Sequence, residues 1–429
     1  MRRKNCHPWY RPRGYIHFDQ PITAKSAERL IPNPQNIISH SFYPFVSYKI
    51  TSEKIKKDKN TGKLVPKLKE RSVSYASHVD SQIYSYYTYL LNPPYEELIN
   101  KADLGSSVLA YRKLGKNNIN FAKQAFRDIA EKGECVAIAY DIEKFFDNLD
   151  HQFLKQAWCN LLSVDKLPED QYKVFKSLTK FAQVQRDELY RLLSISKHNP
   201  KNARNRICNP SEFREKVRKS GLVKVNKETK GIPQGSPISA LLSNIYMLEF
   251  DKCIGQYIKN IGGYYLRYCD DILCILPSEY MVDCDSLIHT EISKLKLIIN
   301  NEKTKRSHFF VTRKGLRADN PIQYLGFMFD GQSITIRSAA LARFSERMKR
   351  GVRLAKRTMI KHNKLRRQKG LPEQSLYKQK IFKKYSHLGR RNFIRYGYSS
   401  AKIMESSAIK KQLKPLWSKL IQEIEKGHN

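Results

Sequence analysis

The sequence predicts an α+β fold, on three observations. Short runs of strand composition are joined by turn residues, as at Tyr264–Tyr268 and Ile272–Leu276 around Cys269-Asp270-Asp271. Segments with helical spacing lie between such runs, as at 118–132 and His151–Leu162. The last 93 residues read as mostly helical.

Taken in order, residues 1–40 are polar and weakly periodic and read as an N-terminal arm. Residues 42–52 have strand composition, Lys54–Lys63 reads as a hairpin tip, and a second strand is expected near Arg71–Tyr75. From Asp80 to Leu91 the spacing of Ile83, Tyr87 and Leu90/Leu91 predicts a helix. Its tyrosines are more often core and interface filler than base-stacking platforms. Residues 118–132 predict a helix, Val136–Tyr140 a short apolar strand, and His151–Leu162 a further helix. Residues 198–230 are polar and basic and are expected to be a surface insertion. Pro237 to Phe250 has helical spacing, a helix is expected near 284–299, and strands at 306–312 and 322–329. Composition shifts after Ile336. Residues 337–370 hold 13 Lys+Arg and one acid, and the last 93 residues carry a net +21, which marks 337–429 as a separate cationic helical module. The expected division is thus an arm at 1–40, a unit at 41–135, a second at 136–336 and the basic module.

The charge sorts the partners. The chain of 429 residues has 79 Lys+Arg against 40 Asp+Glu, a net +39. At 41% hydrophobic and 11% aromatic it buries a core, so this is not a disordered basic tail. A polyanion that offsets the self-repulsion is expected, nucleic acid first and an anionic membrane surface second. No apolar run is long enough to span a bilayer and no amphipathic anchor is evident, so no membrane association is expected. No secretory signal opens the chain. The eight cysteines form no C-x2-C pair, which disfavours a zinc ribbon or disulfide framework and fits a reducing cytoplasm.

Three carboxylates stand out by position. Asp141 follows the strand Val136–Tyr140, and Asp270 and Asp271 sit between two other strands. Strand-end carboxylates are candidates for magnesium, and two such ions can stabilise the attacking and leaving oxygens of phosphoryl transfer. An Asp-Asp pair alone is more often solvated turn chemistry. Between the carboxylates lies Gly231-Ile232-Pro233-Gln234-Gly235-Ser236-Pro237-Ile238-Ser239. Gly235 allows close backbone approach, and Ser236-Pro237 is expected to cap and open the following helix. A loop contacting a phosphate or base ahead of a helix has this form, whereas a plain loop-to-helix start explains the Ser-Pro but not the entire string.

The ordered set DIEKFFDNLDH (141–151), GIPQGSPIS (231–239), YCDD (268–271), NEKT (301–304) and YLGF (324–327) resembles the successive palm motifs of reverse transcriptases. Residues 69–87, KERSVSYASHVDSQIYSYY, resemble the fingers motif of that family. The style is nearest to bacterial members: group II intron, retron and phage-defence types. Residues 110–126, 206–217 and 390–406 resemble the defence-associated branch that works with an adjacent non-coding RNA. The resemblance covers about residues 40–330. It implies a right-hand polymerase fold with fingers, a palm built on an antiparallel sheet, and a helical thumb at 337–429.

It also implies roles. Asp141, Asp270 and Asp271 would hold two Mg²⁺, with the backbone carbonyl of Ile142 assisting. A primer 3′-oxygen would attack the α-phosphorus of a deoxynucleoside triphosphate and release pyrophosphate. Phe146 matches the aromatic that excludes a 2′-hydroxyl; the alternative is a core ring beside Phe145, but adjacent residues cannot both face one way, which favours the gate. Lys69 and Arg71 match positions that grip the triphosphate, and otherwise read as a solvated charged strand. Gln234 would line the nucleotide, and Lys303 matches a lysine assigned to protonate pyrophosphate. Gly235, Ser236, Pro237 and Tyr268 would face template and primer. Arg112 matches a template-contacting arginine, and Tyr324-Leu325-Gly326 matches the primer-grip turn. Cys269, without a His or a metal-spaced partner, is not expected to be a catalytic thiol. Cations on the thumb would hold the duplex backbone without reading sequence.

The function expected is RNA-directed DNA synthesis on a bound structured non-coding RNA, giving cDNA that serves antiphage defence in a bacterial cytoplasm. Template-independent or protein-primed synthesis is the alternative within the enzyme class. From another class, an RNA-binding maturase or scaffold is the alternative, against which the intact acidic triad and the short C-terminal extension speak. No segment is left for an RNase H domain. The identity of the RNA, the priming route, single or repeated copying, the fate of the cDNA and the oligomeric state are not encoded legibly.

Overall fold

The computed structural model describes residues 7–57, 64–202 and 204–426, and for residues 52–57, 64–67 and 69 the backbone alone. In chain order the elements begin α1 (Ala24–Leu30), α2 (Pro34–Ser39), β1 (Phe45–Lys57), β2 (Leu64–Tyr75), α3 (His78–Lys101), α4 (Asn118–Lys132) and β3 (Cys135–Asp141). They continue as α5 (Phe145–Asn148), α6 (His151–Leu162), α7 (Glu169–Thr179), β4 (Ala182–Gln185), α8 (Arg186–Leu192), α9 (Pro210–Glu212), β5 (Lys224–Val225), α10 (Ser239–Tyr246) and α11 (Leu248–Asn260). Next come β6 (Tyr264–Tyr268), β7 (Asp271–Leu276), α12 (Met281–Lys294), β8 (Lys305–Thr312), β9 (Gly315–Ala318), β10 (Ile322–Tyr324), β11 (Phe327–Phe329) and β12 (Ile334–Ile336). The chain closes with α13 (Ser338–Gln368), α14 (Lys378–Tyr385), α15 (Phe393–Ile403) and α16 (Ser407–Glu425). Helix and strand are mixed throughout, so the α+β expectation holds.

Two compact units form. The first contains residues 1–106, 142–254 and 287–299, and the second contains 107–141, 255–286 and 300–429.

In the first unit β1 and β2 make a long antiparallel hairpin, and β1 continues into parallel β4 and then antiparallel β5. The expected hairpin tip at Lys54–Lys63 falls largely outside the described residues. Helix α3 starts where the Ser77 side chain accepts the Asp80 N–H, an N-cap that satisfies one of the helix's orphan donors. It runs ten residues past the expected end at Leu91, through Pro93 and Pro94. The interval 198–230 is not the polar excursion its composition suggests. Ile207, Cys208, Phe213 and Val217 are buried with Ile16, Phe18 and Val184 in one core. The Lys and Arg between them point outward, and sparse apolar residues at the right spacing suffice to anchor the segment.

In the second unit the central sheet has the order β6-β7-β3-β8-β9. Strand β3 lies between β7 and β8, both antiparallel to it, and Cys135 to Ile138 are buried, the mark of an inner strand covered on both sides. Helix α4 begins at a capping box in which Asn117 and Asn120 exchange side chain–backbone hydrogen bonds. Its apolar stripe, Ile119, Ala122, Phe126 and Ile129, covers the sheet.

The helices after Ile336 are not a separate module. Phe344, Met348 and Val352 of α13, Ile394 of α15, and Ile409, Leu413 and Leu420 of α16 share one core with Ala137, Ile275, Phe309 and Phe327 of the strands. The charge steps up at 337 because the exposed faces change composition; the buried faces do not. The run 322–329, expected as one strand, is a hairpin of β10 and β11 that turns at Leu325 (φ 46°) and Gly326 (φ 93°).

Candidate active site

Asp141 ends β3 and Asp271 opens β7, and the register places them directly opposite, the last pair of a ladder that starts at Val136 and Leu276. Five apolar pairs precede them, so the ladder itself delivers two carboxylates side by side. Asp270 lies in the β6–β7 turn, where Cys269 takes a left-handed conformation at φ 61°. That turn is braced from inside. Arg267 is fully buried, donates from Nη1 to the Cys269 carbonyl at 3.1 Å, and pairs through its backbone with Ser107 and Leu109. Tyr111, itself left-handed at φ 65°, directs its hydroxyl to Cys269 Sγ at 3.3 Å. A bulky residue held at positive φ carries a local cost on the order of 1–3 kcal/mol, which surrounding contacts must over-determine.

The charges interact. Burial, then the like charges of Asp270 and Asp141, push the Asp271 carboxyl up to about 7, while Lys303 and Arg337 pull it back. The Asp271 side chain keeps solvent access, so the neighbouring carboxylates are the firmer cause. Lys303 forms an ion pair with Asp141 Oδ2; the NEKT turn is placed for this by the Asn300 N–H donating to the Asp141 carbonyl at 2.8 Å. Burial, followed by the charge of Asp270, pushes the Cys269 thiol up to about 12, so this cysteine is no nucleophile.

The fit to magnesium rests on donor chemistry. All three side chains are hard oxygen donors, their mutual repulsion is visible at Asp271, and the Lys303 ammonium already supplies a positive charge at Asp141. Among the described residues, no three His, Cys, Asp or Glu side chains stand close enough together to hold a metal ion. The carboxylates therefore suit the ion chemically, in a conformation where one of them is taken by Lys303. Ile142 is buried and bridges to Ile299.

The same unit holds the remaining primer-side candidates. Tyr268 is half-buried, with its ring 6.1 Å from that of Phe121. Arg112 is half-buried and donates from Nη1 to the Val108 carbonyl at 2.7 Å. Tyr324 departs from expectation: its ring is buried in the core and its hydroxyl has no hydrogen-bond partner, so it presents nothing to a primer. Beyond it Leu325 is half-buried and Gly326 exposed, and the Gly326 carbonyl accepts the Arg337 N–H at 3.2 Å. Asn118 Nδ2 donates to the Leu325 carbonyl at 3.3 Å and to the Tyr396 hydroxyl at 2.9 Å, which fixes the turn.

In the first unit, Phe145 is buried and Phe146 half-buried, their rings 5.5 Å apart and tilted at 58°. Adjacent residues split between core and surface here, and Phe146 is the more accessible of the two. The loop at 231–239 docks below it. The Ile232 N–H donates to the Phe146 carbonyl at 3.0 Å, and the Gly231 N–H to the Leu149 carbonyl at 2.8 Å. At its far end the Ser74 N–H donates to the Gln234 carbonyl at 2.8 Å, and a Cβ on Gly235 (φ 113°) would fall 2.4 Å from the Ser74 oxygen. Gln234 and Gly235 are exposed, as is Arg71, three residues before Ser74 on β2. Lys69 stands opposite Ser52 in the β1–β2 register, and its side chain lies outside the described residues. Ser236 overturns two expectations. Its hydroxyl is buried with no partner, so it neither caps a helix nor reaches template. Helix α10 starts three residues later at Ser239, whose Oγ instead donates to the Pro233 carbonyl at 2.7 Å. Pro237 is half-buried in the turn between them.

Sequence reading missed Arg267, Tyr111 and Asn118. The signal for the first was present: a charged residue inside an apolar strand run, directly before Tyr268. Nothing local distinguishes Tyr111, whose role depends on Cys269, 158 positions away.

An α+β protein with paired carboxylates at adjacent strand ends and a flanking cationic side chain has the equipment for nucleotidyl transfer. A family model described as reverse transcriptase (RNA-dependent DNA polymerase) matches residues 95–329, and the chain belongs to that family. No curated protein matches it. Among solved structures it is similar to apo telomerase from Candida tropicalis truncated from the C-terminal domain, at 15% identity over 64% of this chain and 54% of that one, TM-score 0.39. It is also similar to apo telomerase from Candida tropicalis, at 12% identity over 89% of this chain and 60% of that one, TM-score 0.43. Telomerase from Candida albicans in complex with a fragment of telomeric RNA gives 11% identity over 91% of this chain and 64% of that one, TM-score 0.39. The chain thus spans between about half and two thirds of the length of these structures.

Proposed function

We propose that this protein is an RNA-directed DNA polymerase that copies a bound non-coding RNA into cDNA. The observation that carries the reading is the Asp141–Asp271 pair at the end of the β3–β7 ladder, with Asp270 in the adjoining turn, inside a chain of the reverse transcriptase family. Asp141, Asp270 and Asp271, with the Ile142 carbonyl, would hold two Mg²⁺. Bound there, divalent ions supply charge neutralisation for the attacking 3′-oxygen and the departing pyrophosphate. The chain's own residues do the rest. Arg267 and Tyr111 hold the Asp270 turn in place. Lys303, released from Asp141, has an ammonium to offer the leaving pyrophosphate. Phe146 presents its ring to the sugar and rejects a 2′-hydroxyl, while Arg71, Lys69 and Gln234 take the triphosphate. The backbone of Leu325 and Gly326 supports the primer end.

Extension of a DNA primer on an RNA template tests this directly. The parent is expected to extend and Asp270→Ala to lose at least about 100-fold in rate while keeping its circular dichroism, in the range seen for removal of an electrostatic catalyst. Unimpaired extension by that variant refutes the assignment.

The finer setting is a bacterial cytoplasm and defence against phage. It is supported by the resemblance of residues 110–126, 206–217 and 390–406 to defence-associated members, and by a net +39 suited to a structured RNA. Sequencing the nucleic acids that copurify from the native locus is expected to return one RNA species and DNA complementary to it. DNA with no complementary RNA partner would overturn that part. Loss of phage protection in the Asp270→Ala strain tests the biological role.

A further inference from the structure

Outside the carboxylate site, the second unit contains an open cavity of about 1070 Å³ among α4, α13, α14 and α15. Its lining is cationic. Arg347 comes from α13, and Lys380, Lys383 and Lys384 come from α14. Arg390, Arg391 and Arg395 come from the segment that enters α15 and from its first turn. That makes seven positive side chains and no carboxylate among the lining residues, whereas elsewhere on the surface Lys and Arg commonly sit within reach of an acid, as Lys123 does with Glu405 and Arg353 with Glu423. The N-terminal ends of α4 and α15, of 15 and 11 residues, also open on it through their caps Asn117 and Asn392, adding partial positive charge.

The cavity is held rigidly. Asn392 Nδ2 donates to the Lys383 carbonyl at 3.1 Å and to the Ser386 carbonyl at 2.7 Å, while its Oδ1 accepts the Arg395 N–H at 3.0 Å. Gly389 packs so tightly that a Cβ would fall 1.9 Å from the Lys383 oxygen. The Arg390-Arg391 pair is therefore presented from a fixed loop. The half-buried rings of Phe393 and Tyr396 add apolar surface at the wall, Phe393 stacked on Phe344 at 4.8 Å. Seven like charges gathered on a preorganised surface oppose folding unless an anion offsets them.

We propose that this cavity anchors an unpaired nucleic-acid strand, its phosphates on the arginines and lysines and a base against Phe393 or Tyr396. The size favours a strand over a mononucleotide, since the space lies at the upper limit of pockets for one small molecule, about 300–1,000 Å³. It favours a single strand over a duplex, because paired bases are turned inward and unavailable for stacking on the wall. The anchor rests on the reading that the protein handles nucleic acid, and it is separate from the carboxylates that would do the chemistry.

Fluorescence anisotropy tests it, with the full chain against a labelled RNA 12-mer, the DNA 12-mer of the same sequence, and a blunt duplex, each over a range of salt. The variant is Lys383→Gln/Arg390→Gln/Arg391→Gln, three exposed side chains, with thermal unfolding as the fold control. Single strands release about 0.7 counterion per neutralised phosphate. The variant is therefore expected to lower the single-strand salt slope by about 2 and the affinity roughly 10- to 100-fold, with the duplex slope moving by less than about half a unit. Tighter binding of RNA than DNA in the parent assigns the cavity to template, and the reverse assigns it to product. An unchanged single-strand slope, or an equal fall for strand and duplex, overturns the anchor. Primer extension by the parent on a short primed template separates the two readings: failure there removes the polymerase and leaves the anchor standing.

Discussion

Gly235 offers a sharp test of how the loop at 231–239 is built. Its φ is 113°, and a methyl group there would lie 2.4 Å from the Ser74 carbonyl oxygen and 3.3 Å from Val73 Cγ1. Ordinary contact begins near 3.4 Å, so the Gly235→Ala loop must retreat by about 1 Å, since the obstacle is backbone and cannot rotate away. That retreat breaks the 2.8 Å hydrogen bond from Ser74 to Gln234. The backbone conformation costs about 1–3 kcal/mol for a residue with a Cβ, and the lost bond about 1 kcal/mol. A destabilisation of about 2–4 kcal/mol is expected in urea unfolding of the full chain. The control is Gly326→Ala. It too has positive φ, 93°, but a Cβ there meets nothing within 4 Å, so only the conformational cost applies. The second readout is the KM for deoxynucleotide in primer extension. It is expected to rise several-fold for Gly235→Ala, because Gln234 moves relative to Arg71, and to stay near the parent value for Gly326→Ala. Equal destabilisation by the two substitutions, or an unchanged KM for Gly235→Ala, would show that the close approach to Ser74 does not shape this loop.

The paired rings at 145 and 146 make a second contrast. Phe145→Ala is expected to cost about 3–5 kcal/mol of stability, as a buried ring. Phe146→Ala is expected to cost far less and to raise ribonucleotide incorporation at least tenfold, read by alkali-sensitive product. Titration gives a third. With its carboxyl pushed up to about 7, Asp271 holds a proton in the folded protein that the unfolded chain releases near pH 4. Stability from this group is present at low pH and declines as pH rises from about 4 to 7. Asp271→Asn is expected to flatten that part of the stability profile. The magnesium concentration needed for half-maximal extension is expected to rise as pH drops below about 7, because protons compete with the ion for that carboxyl; a requirement unchanged between pH 8 and 6 would contradict this. Finally, Arg267→Met is expected to lower the extension rate with little change in KM, since the Arg267 guanidinium donates to the turn that carries Asp270; a change in KM alone would count against that positioning role.

Sequence by itself determined the local elements wherever hydrophobic period and caps agree. The helices 118–132 and 151–162 and the strand 264–268 fall where expected, because Asn117 and Asp150 cap the helices and the apolar stripe is unbroken. It also singled out the three carboxylates, since acids at the ends of apolar strands are conspicuous against so basic a chain. Tertiary structure alone decided what depends on distant partners. Residues 198–230 look polar because scattered apolar side chains among many Lys and Arg carry no strong period, yet four of them, Ile207, Cys208, Phe213 and Val217, are buried and anchor the segment in a core. Ser236 looks like a cap because composition cannot show that the helix starts later. Tyr324 shares a motif with an open turn but spends its ring in the core. The seven cations of the cavity come from three separate stretches between residues 347 and 395 and look, in sequence, like any solvated basic face. A charge count is additive along the chain, but the field those charges make depends on which of them the fold brings to one wall.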